Sequence, residues 1–255
     1  MTLPRGLFIT GTDTGVGKTR VACEIVRSLV AEGRQVGVLK PVSTGGTEDA
    51  RELIIAQGEN LPLALVNPIQ LAEPLAPPIA ARRAGMILRF ADVISAVRPS
   101  LETFSYQAEV LIVEGAGGLF CPLAEETTMA DLASWLDYPI LIVARRGLGT
   151  INHILLTLHA AQSGGLRIAG VILNGCDPTH NRLAEETAAE ELSRRMGSVA
   201  ILDEIEHGSM FESLRHLDWL SRSATPRNDF RTWRDSVVGD TVESGRPLPP
   251  LESER

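Results

Sequence analysis

The sequence predicts an α/β fold, a mainly parallel central sheet flanked by helices, and three observations carry that prediction. Short runs of Val, Ile and Leu recur through most of the 255 residues without alternating with polar ones, the pattern of strands covered on both faces. Helix-length stretches lie between those runs, and strand–helix–strand alternation calls for crossover connections between parallel strands. At 44% hydrophobic and 22% charged, the chain can bury a sizeable core and is not disordered along its length.

Taken in order, strands are expected at 7–9, 36–39, 110–113, 140–144, 170–173 and 199–202. The first helix is expected over 18–31, after a glycine turn and before a stop at Gly33. Ile151, Ile154, Leu155 and Leu158 form one apolar stripe at helical spacing. Residues 182–196, rich in Ala, Glu and Leu, suit a surface helix ended by Gly197. The proline-rich segment 60–78 reads as an extended connection, and no internal repeat is visible. From Arg222 onward prolines and charges replace the periodic pattern. The chain is therefore divided into a folded domain, 1–222, and a polar, irregular tail, 223–255.

Lys and Arg number 24 against 32 Asp and Glu, a net charge of −8, which lacks the basic excess of a general nucleic-acid binder. No apolar run approaches the roughly 20 residues of a bilayer crossing, so no membrane partner is expected. Met1 to Arg5 carry no export signal, and Cys23, Cys121 and Cys176 show no paired spacing, so a reducing cytoplasm is the expected compartment.

The sharpest signal is Gly11-Thr12-Asp13-Thr14-Gly15-Val16-Gly17-Lys18-Thr19, between the first strand and the first helix. Phosphate binding needs concentrated backbone N–H donors and a cation. A glycine-rich turn opening a helix supplies the donors, and the helix dipole adds favourable potential. Lys18 reaches the outer phosphates in such a loop, and the Thr19 hydroxyl ligates Mg²⁺. Five residues separate Gly11 from Gly17, against four in the common pattern, so Thr12 is the strictly matching position. With this loop the expected architecture becomes a three-layer sandwich of the P-loop NTPase type, and the ligand a nucleotide.

Ligands of open parallel sheets collect at the carboxyl ends of strands, so residues after the next strands are expected to converge on the loop. Lys40 ends the second strand, followed by Thr44 in a glycine-containing turn. A lysine there is sensible beside a γ-phosphate; the alternative is a solvated strand-end lysine. After the third strand comes Glu114-Gly115-Ala116-Gly117, a carboxylate for Mg²⁺ with backbone free to approach the ligand. Asp49 is a second candidate ligand, or a first-turn helix acid.

At these residues the sequence resembles dethiobiotin synthetase. The resemblance rests on the whole 11–19 loop, on Lys40-Pro41-Val42 with a hydroxyl two residues on, and on residues 113–118. Gly149-Thr150-Ile151-Asn152-His153 and Val171-Ile172-Leu173-Asn174 also match, the latter similar to a family strand that ends in an adenine-contacting Asn. The resemblance implies an ATP- and Mg²⁺-dependent ring closure of 7,8-diaminononanoate with CO₂ (or bicarbonate) to dethiobiotin, ADP and phosphate, by a homodimer. It implies Lys40 and Lys18 as catalytic cations and Thr19, Asp49 and Glu114 as metal ligands. The implied ATP-binding set is Gly15, Val16, Gly17, Lys18, Thr19, Arg20, Asp49, Glu114, Gly115, Ala116, Gly117, Asn174 and Gly175. Thr12, Thr44 and Asn152 are the implied substrate contacts, Asn152 from the partner. Read alone, Asn152 has an alternative as a helix-start residue and Asn174 as a strand-end turn former.

Two positions depart from the family. Pro78 stands where a histidine is often found, and Asp203-Glu204-Ile205-Glu206-His207 replaces a neutral turn near the adenine. Cys121 reads as a small apolar filler without basic neighbours. The competing functional reading is a partition-type or regulatory P-loop ATPase dimer. Such proteins usually carry an extra lysine early in the loop, where this chain has Thr12 and Asp13. An amidotransferase-linked synthetase requires a further domain for which the chain is too short.

Overall fold

The computed structural model describes residues 3–58, 61–175, 182–197, 199 and 201–205. In chain order its elements are β1 (Arg5–Gly11), α1 (Lys18–Ala31), β2 (Val36–Leu39), β3 (Val42–Thr44), α2 (Glu48–Gln57), α3 (Leu63–Val66), β4 (Ile69–Leu71), α4 (Pro77–Arg83) and α5 (Phe90–Gln107). They continue as β5 (Val110–Gly118), β6 (Pro122–Ala124), β7 (Thr127–Thr128), α6 (Met129–Leu136), β8 (Ile140–Arg145), α7 (Thr150–Ser163), β9 (Ile168–Asn174), α8 (Arg182–Arg195) and β10 (Ile201–Ile205).

Six strands form one sheet in the order β10-β9-β8-β1-β5-β2, and every neighbouring pair is parallel. Alternate residues of each strand enter opposite cores, as the two-residue period of a pleated strand dictates. Leu7, Ile9, Val36, Val38, Val110, Ile112, Leu141, Val143 and Ile172 pack with α1 and α2 in one core. Phe8, Leu39, Leu111, Val113, Ile140, Ile142, Val171 and Leu173 pack with α4 to α8 in the other. The sheet is thus buried on both faces, the physical reason its strands read as unbroken apolar runs.

Three expectations are corrected. The segment read as an extended connection contains α3 and β4, and β4 pairs in parallel with β3 as a separate two-stranded sheet. The third strand runs on through Gly118, so Glu114 lies within it rather than after it. The last strand begins at Ile201, two residues later than expected, and continues to Ile205. Asp203, Glu204 and Ile205 are therefore strand residues beside β9 rather than a turn, while Glu206 and His207 lie outside the described residues. The tail assigned to 223–255 also lies outside them. Pro78 is buried in the first turn of α4, where a proline costs no hydrogen bond.

Candidate active site

Parity and register assemble the site. Leu39 pairs with Val113, so the next residues, Lys40 and Glu114, lie side by side past the sheet's centre. Lys40 follows Val38 by two positions, and Glu114 follows Ile112 by two. Both therefore project to the α1/α2 face, where Val38 and Ile112 pack. Asn174 stands in the same relation to Ile172. Three polar residues thus extend three apolar rows toward the loop that follows β1.

The loop meets them through α1. Gly17 caps that helix in the left-handed region at φ 90°, with no side-chain cap and no acidic residue in the first turn. The first N–H groups therefore face outward without a competing side chain, as an anion site requires. A Cβ on Gly17 would lie 1.8 Å from the Asn174 amide nitrogen, so only glycine fits. That amide donates to the Val16 carbonyl at 2.9 Å and ties the loop to β9. The Asn174 Oδ1 is buried and has no hydrogen-bond partner among the described residues. Thr12 N–H donates to Val143 O at 2.9 Å, holding the start of the loop against β8.

Lys40 is the hub. Its Nζ donates to Glu114 Oε1 at 2.6 Å and to Asp49 Oδ2 at 2.7 Å, with the Gly115 carbonyl at 3.4 Å. Thr19 Oγ1 donates to the same Glu114 Oε1 at 2.9 Å. Lys40 is 3% exposed and Glu114 fully buried. Burial alone pulls the Lys40 ammonium down, but the Glu114 and Asp49 carboxylates outweigh it and hold its pKa above the ordinary lysine value. Burial raises Glu114 above the ordinary carboxylate range, partly offset by Lys40. Asp49 resists its own burial and is held low, chiefly by Lys40. Lys18, which donates to the Asp13 carbonyl at 3.0 Å, is lowered by burial and then by the Lys40 ammonium. Lys18 and Lys40 thus set two cations close together beside the loop, an arrangement suited to a polyanionic ligand.

The oxygen set also fits a magnesium ion. Glu114 Oε2 is buried with no hydrogen-bond partner among the described residues, and Thr19 and Asp49 converge on the same ammonium–carboxylate cluster. Among the described residues no three His, Cys, Asp or Glu cluster. Two carboxylates and a hydroxyl are what Mg²⁺ takes when phosphate oxygens and water complete its shell.

Known proteins resemble this chain. The AAA domain family matches residues 5–213. An ATP-dependent dethiobiotin synthetase from Anaeromyxobacter dehalogenans (strain 2CP-C) is 45% identical over 190 residues, 73% of this chain and 83% of that protein. The chain belongs to the dethiobiotin synthetase family. A family member from Methanocaldococcus jannaschii is 37% identical over 206 residues, 81% of this chain and 96% of that protein. Among solved structures, a plasmid partition protein from Borrelia burgdorferi bound to AMPPNP matches at TM-score 0.52 and 12% identity, covering 86% of this chain and 97% of that one. A DUF1611 family protein from Anabaena variabilis matches at TM-score 0.52 and 18% identity, covering 87% and 59%. At those identities the likeness is one of fold alone.

Against the dethiobiotin synthetase pattern, Lys18, Thr19, Lys40, Asp49, Glu114 and Gly115 are in mutual contact or linked by charge, and Asn174 reaches Val16. Asp49 is both a first-turn acid of α2 and a partner of Lys40. Gly15, Val16 and Gly17 form the loop, Arg20 lies half-buried in the first turn of α1, and Ala116 and Gly117 continue β5 toward Thr12 and Thr14. Gly175 follows β9 in the left-handed region at φ 77°. Thr44 ends β3, half-buried and with no hydrogen bond to the cluster. Asn152 stands apart, exposed in the first turn of α7. Cys121 is a correction: the Lys18 charge acts on its half-buried thiol, although burial still keeps that thiol above the ordinary cysteine value. The sequence reading gave no role to Asn67 or to the Arg145–Asp13 pair at 3.3 Å on the rim of the loop. An Asn-Pro step inside a proline-rich segment was the available signal for Asn67.

Among the described residues no helix is long and apolar enough to cross a membrane.

Proposed function

We propose that this site closes the ring of dethiobiotin: one amine of 7,8-diaminononanoate captures CO₂ as a carbamate, ATP phosphorylates it, and the second amine displaces phosphate. Membership in an ATP-dependent ligase family supports this over a partition-type switch. The observation that carries it is the cluster in which Lys40 bonds both Asp49 and Glu114 beside the phosphate loop. A carbamate oxygen attacking a γ-phosphate brings anions together, so catalysis depends on cations already in place. Lys18 and Lys40 are those cations, and the carbamate is itself the nucleophile. Thr19, Asp49 and Glu114 would hold Mg²⁺, which when bound neutralises phosphate charge. Gly15, Val16 and Gly17 give the phosphates backbone N–H groups, Thr12 lies by the carbamate, and Thr44 contacts the diamine.

The Asn174 amide nitrogen is committed to Val16, so its free Oδ1 is an acceptor for the exocyclic amine of adenine. The active form is read as a homodimer. Leu148 is 87% exposed and Leu156 60% exposed, on either side of Asn152, an apolar surface on which a second copy would place that asparagine over the substrate carboxylate. Use of ATP fits a cytoplasmic setting.

ADP release measured with and without diaminononanoate and bicarbonate tests the reading. Release that depends on both is expected; ATP turnover indifferent to the diamine would favour the switch.

A further inference from the structure

Asn67 is fully buried, lies outside the main sheet, and has every polar atom bonded. Its amide nitrogen donates to the Lys40 carbonyl at 2.8 Å and to the Ile69 carbonyl at 3.2 Å. Its side-chain oxygen accepts from Ser43 Oγ at 2.7 Å. Its own N–H closes α3 onto Leu63 O at 2.7 Å, and its carbonyl accepts from Gln70 at 2.9 Å.

These bonds fall where the sheet gives out. Lys40 is one residue past the last β2 pair, and Pro41 follows it, so no strand ladder fixes the Lys40 peptide. Its N–H goes instead to Val66 O at 2.7 Å and its carbonyl to Asn67. Both ends of the Lys40 residue are therefore held by the turn 66–67. The other half of the Asn67 carboxamide holds Ser43, the neighbour of Thr44. One planar amide, with one donor edge and one acceptor edge, spans the chain on both sides of Pro41. A carboxylate has no donor for Lys40, and an aliphatic side chain supplies neither bond while leaving buried polar groups unpaired.

We propose that Asn67 is a positioning residue of this site, setting the backbone of Lys40 and the Ser43–Thr44 edge at a fixed separation. Lys40 reaches its carboxylates on a four-carbon arm, so a small rotation of its peptide moves the ammonium from the line of phosphoryl transfer. The inference rests on the role proposed above for Lys40 and Thr44.

The test compares Asn67→Ala, Asn67→Asp and Ser43→Ala with the unchanged chain, reading kcat, KM for the diamine, affinity for AMPPNP without diamine, and melting temperature. In Asn67→Ala and Asn67→Asp, kcat falls roughly 10- to 100-fold, the scale of a displaced catalytic group. AMPPNP affinity stays within about twofold, because the phosphate loop hangs from β1 and α1. Ser43→Ala raises the diamine KM about tenfold, one hydrogen bond's worth, with a smaller loss of kcat. A folded Asn67→Ala that turns over within about threefold of the unchanged chain overturns the inference. So does a joint fall of kcat, AMPPNP affinity and melting temperature, which signals general loosening. If neither Asn67 variant folds, Ser43→Ala decides, and unchanged kcat and KM in it overturn the proposal. Failure of the functional reading is separable, because it appears as diamine-independent ADP release in the unchanged chain.

Discussion

The Lys40 ammonium sits between the two carboxylates proposed above for magnesium. On the proposed metal site, lysine and metal would compete for Asp49 and Glu114, and the buried Glu114 charge cannot be left without a counter-ion. A divalent ion would then enter with nucleotide, whose γ-phosphate would give Lys40 another partner. Lys40→Met is expected to lower turnover by orders of magnitude, because it removes a charge used in the transition state. It is also expected to raise the melting temperature in Mn²⁺ alone, with no nucleotide, where the unchanged chain responds weakly. Equal Mn²⁺ shifts in the two proteins would show that Lys40 does not occupy the metal's place. Lys40, Glu114 and the phosphate loop were legible in the sequence because each follows an apolar run directly. Their pairing was not, since it depends on register. Asn67 was hidden more deeply: its bonds reach 27 residues back to Lys40 and 24 to Ser43, beyond any local pattern.

At the level of elements, α1 was legible to its ends because a glycine turn opens it and Gly33 follows its stop. Helix α5 was not, since Pro99 sits inside its 18 residues and reads as a break. The structure runs the helix through that proline, burying Val93, Val97, Leu101 and Phe104 along one face. Strand β4 was obscured by the prolines around it. The junction between the loop and β9 offers a sharp check of element packing. Gly17→Ala is expected to cost about 1–3 kcal/mol for its left-handed backbone alone, and the clash with Asn174 adds to that. Adding Asn174→Ala relieves the clash and leaves the backbone strain, so melting temperature recovers only in part. Strictly additive losses in the double variant would mean that the two residues do not meet in solution.

At the scale of the whole molecule, the layered architecture could be read from apolar runs alone, because burial on both faces removes every polar interruption from a strand. The division of labour between faces could not, since it needs the pairing of distant strands. Assembly is tested at Leu148, exposed and adjacent to α7. Leu148→Glu is expected to sediment as a monomer and to keep AMPPNP affinity while losing affinity for the diamine. A variant that sediments and turns over like the unchanged chain would count against the proposed contact. The alternation of β2 and β5 between two cores has a consequence for how such a protein can change. Loops at the amino ends of the strands, away from the site, can lengthen or be replaced more freely. One added residue within 36–39 or 110–113 would turn a charged group away from the nucleotide and into oil, and two would restore its direction but overshoot its depth. The spacing between those strands' first apolar residues and their terminal charges is thus a counting constraint, blind to which aliphatic side chains fill the steps.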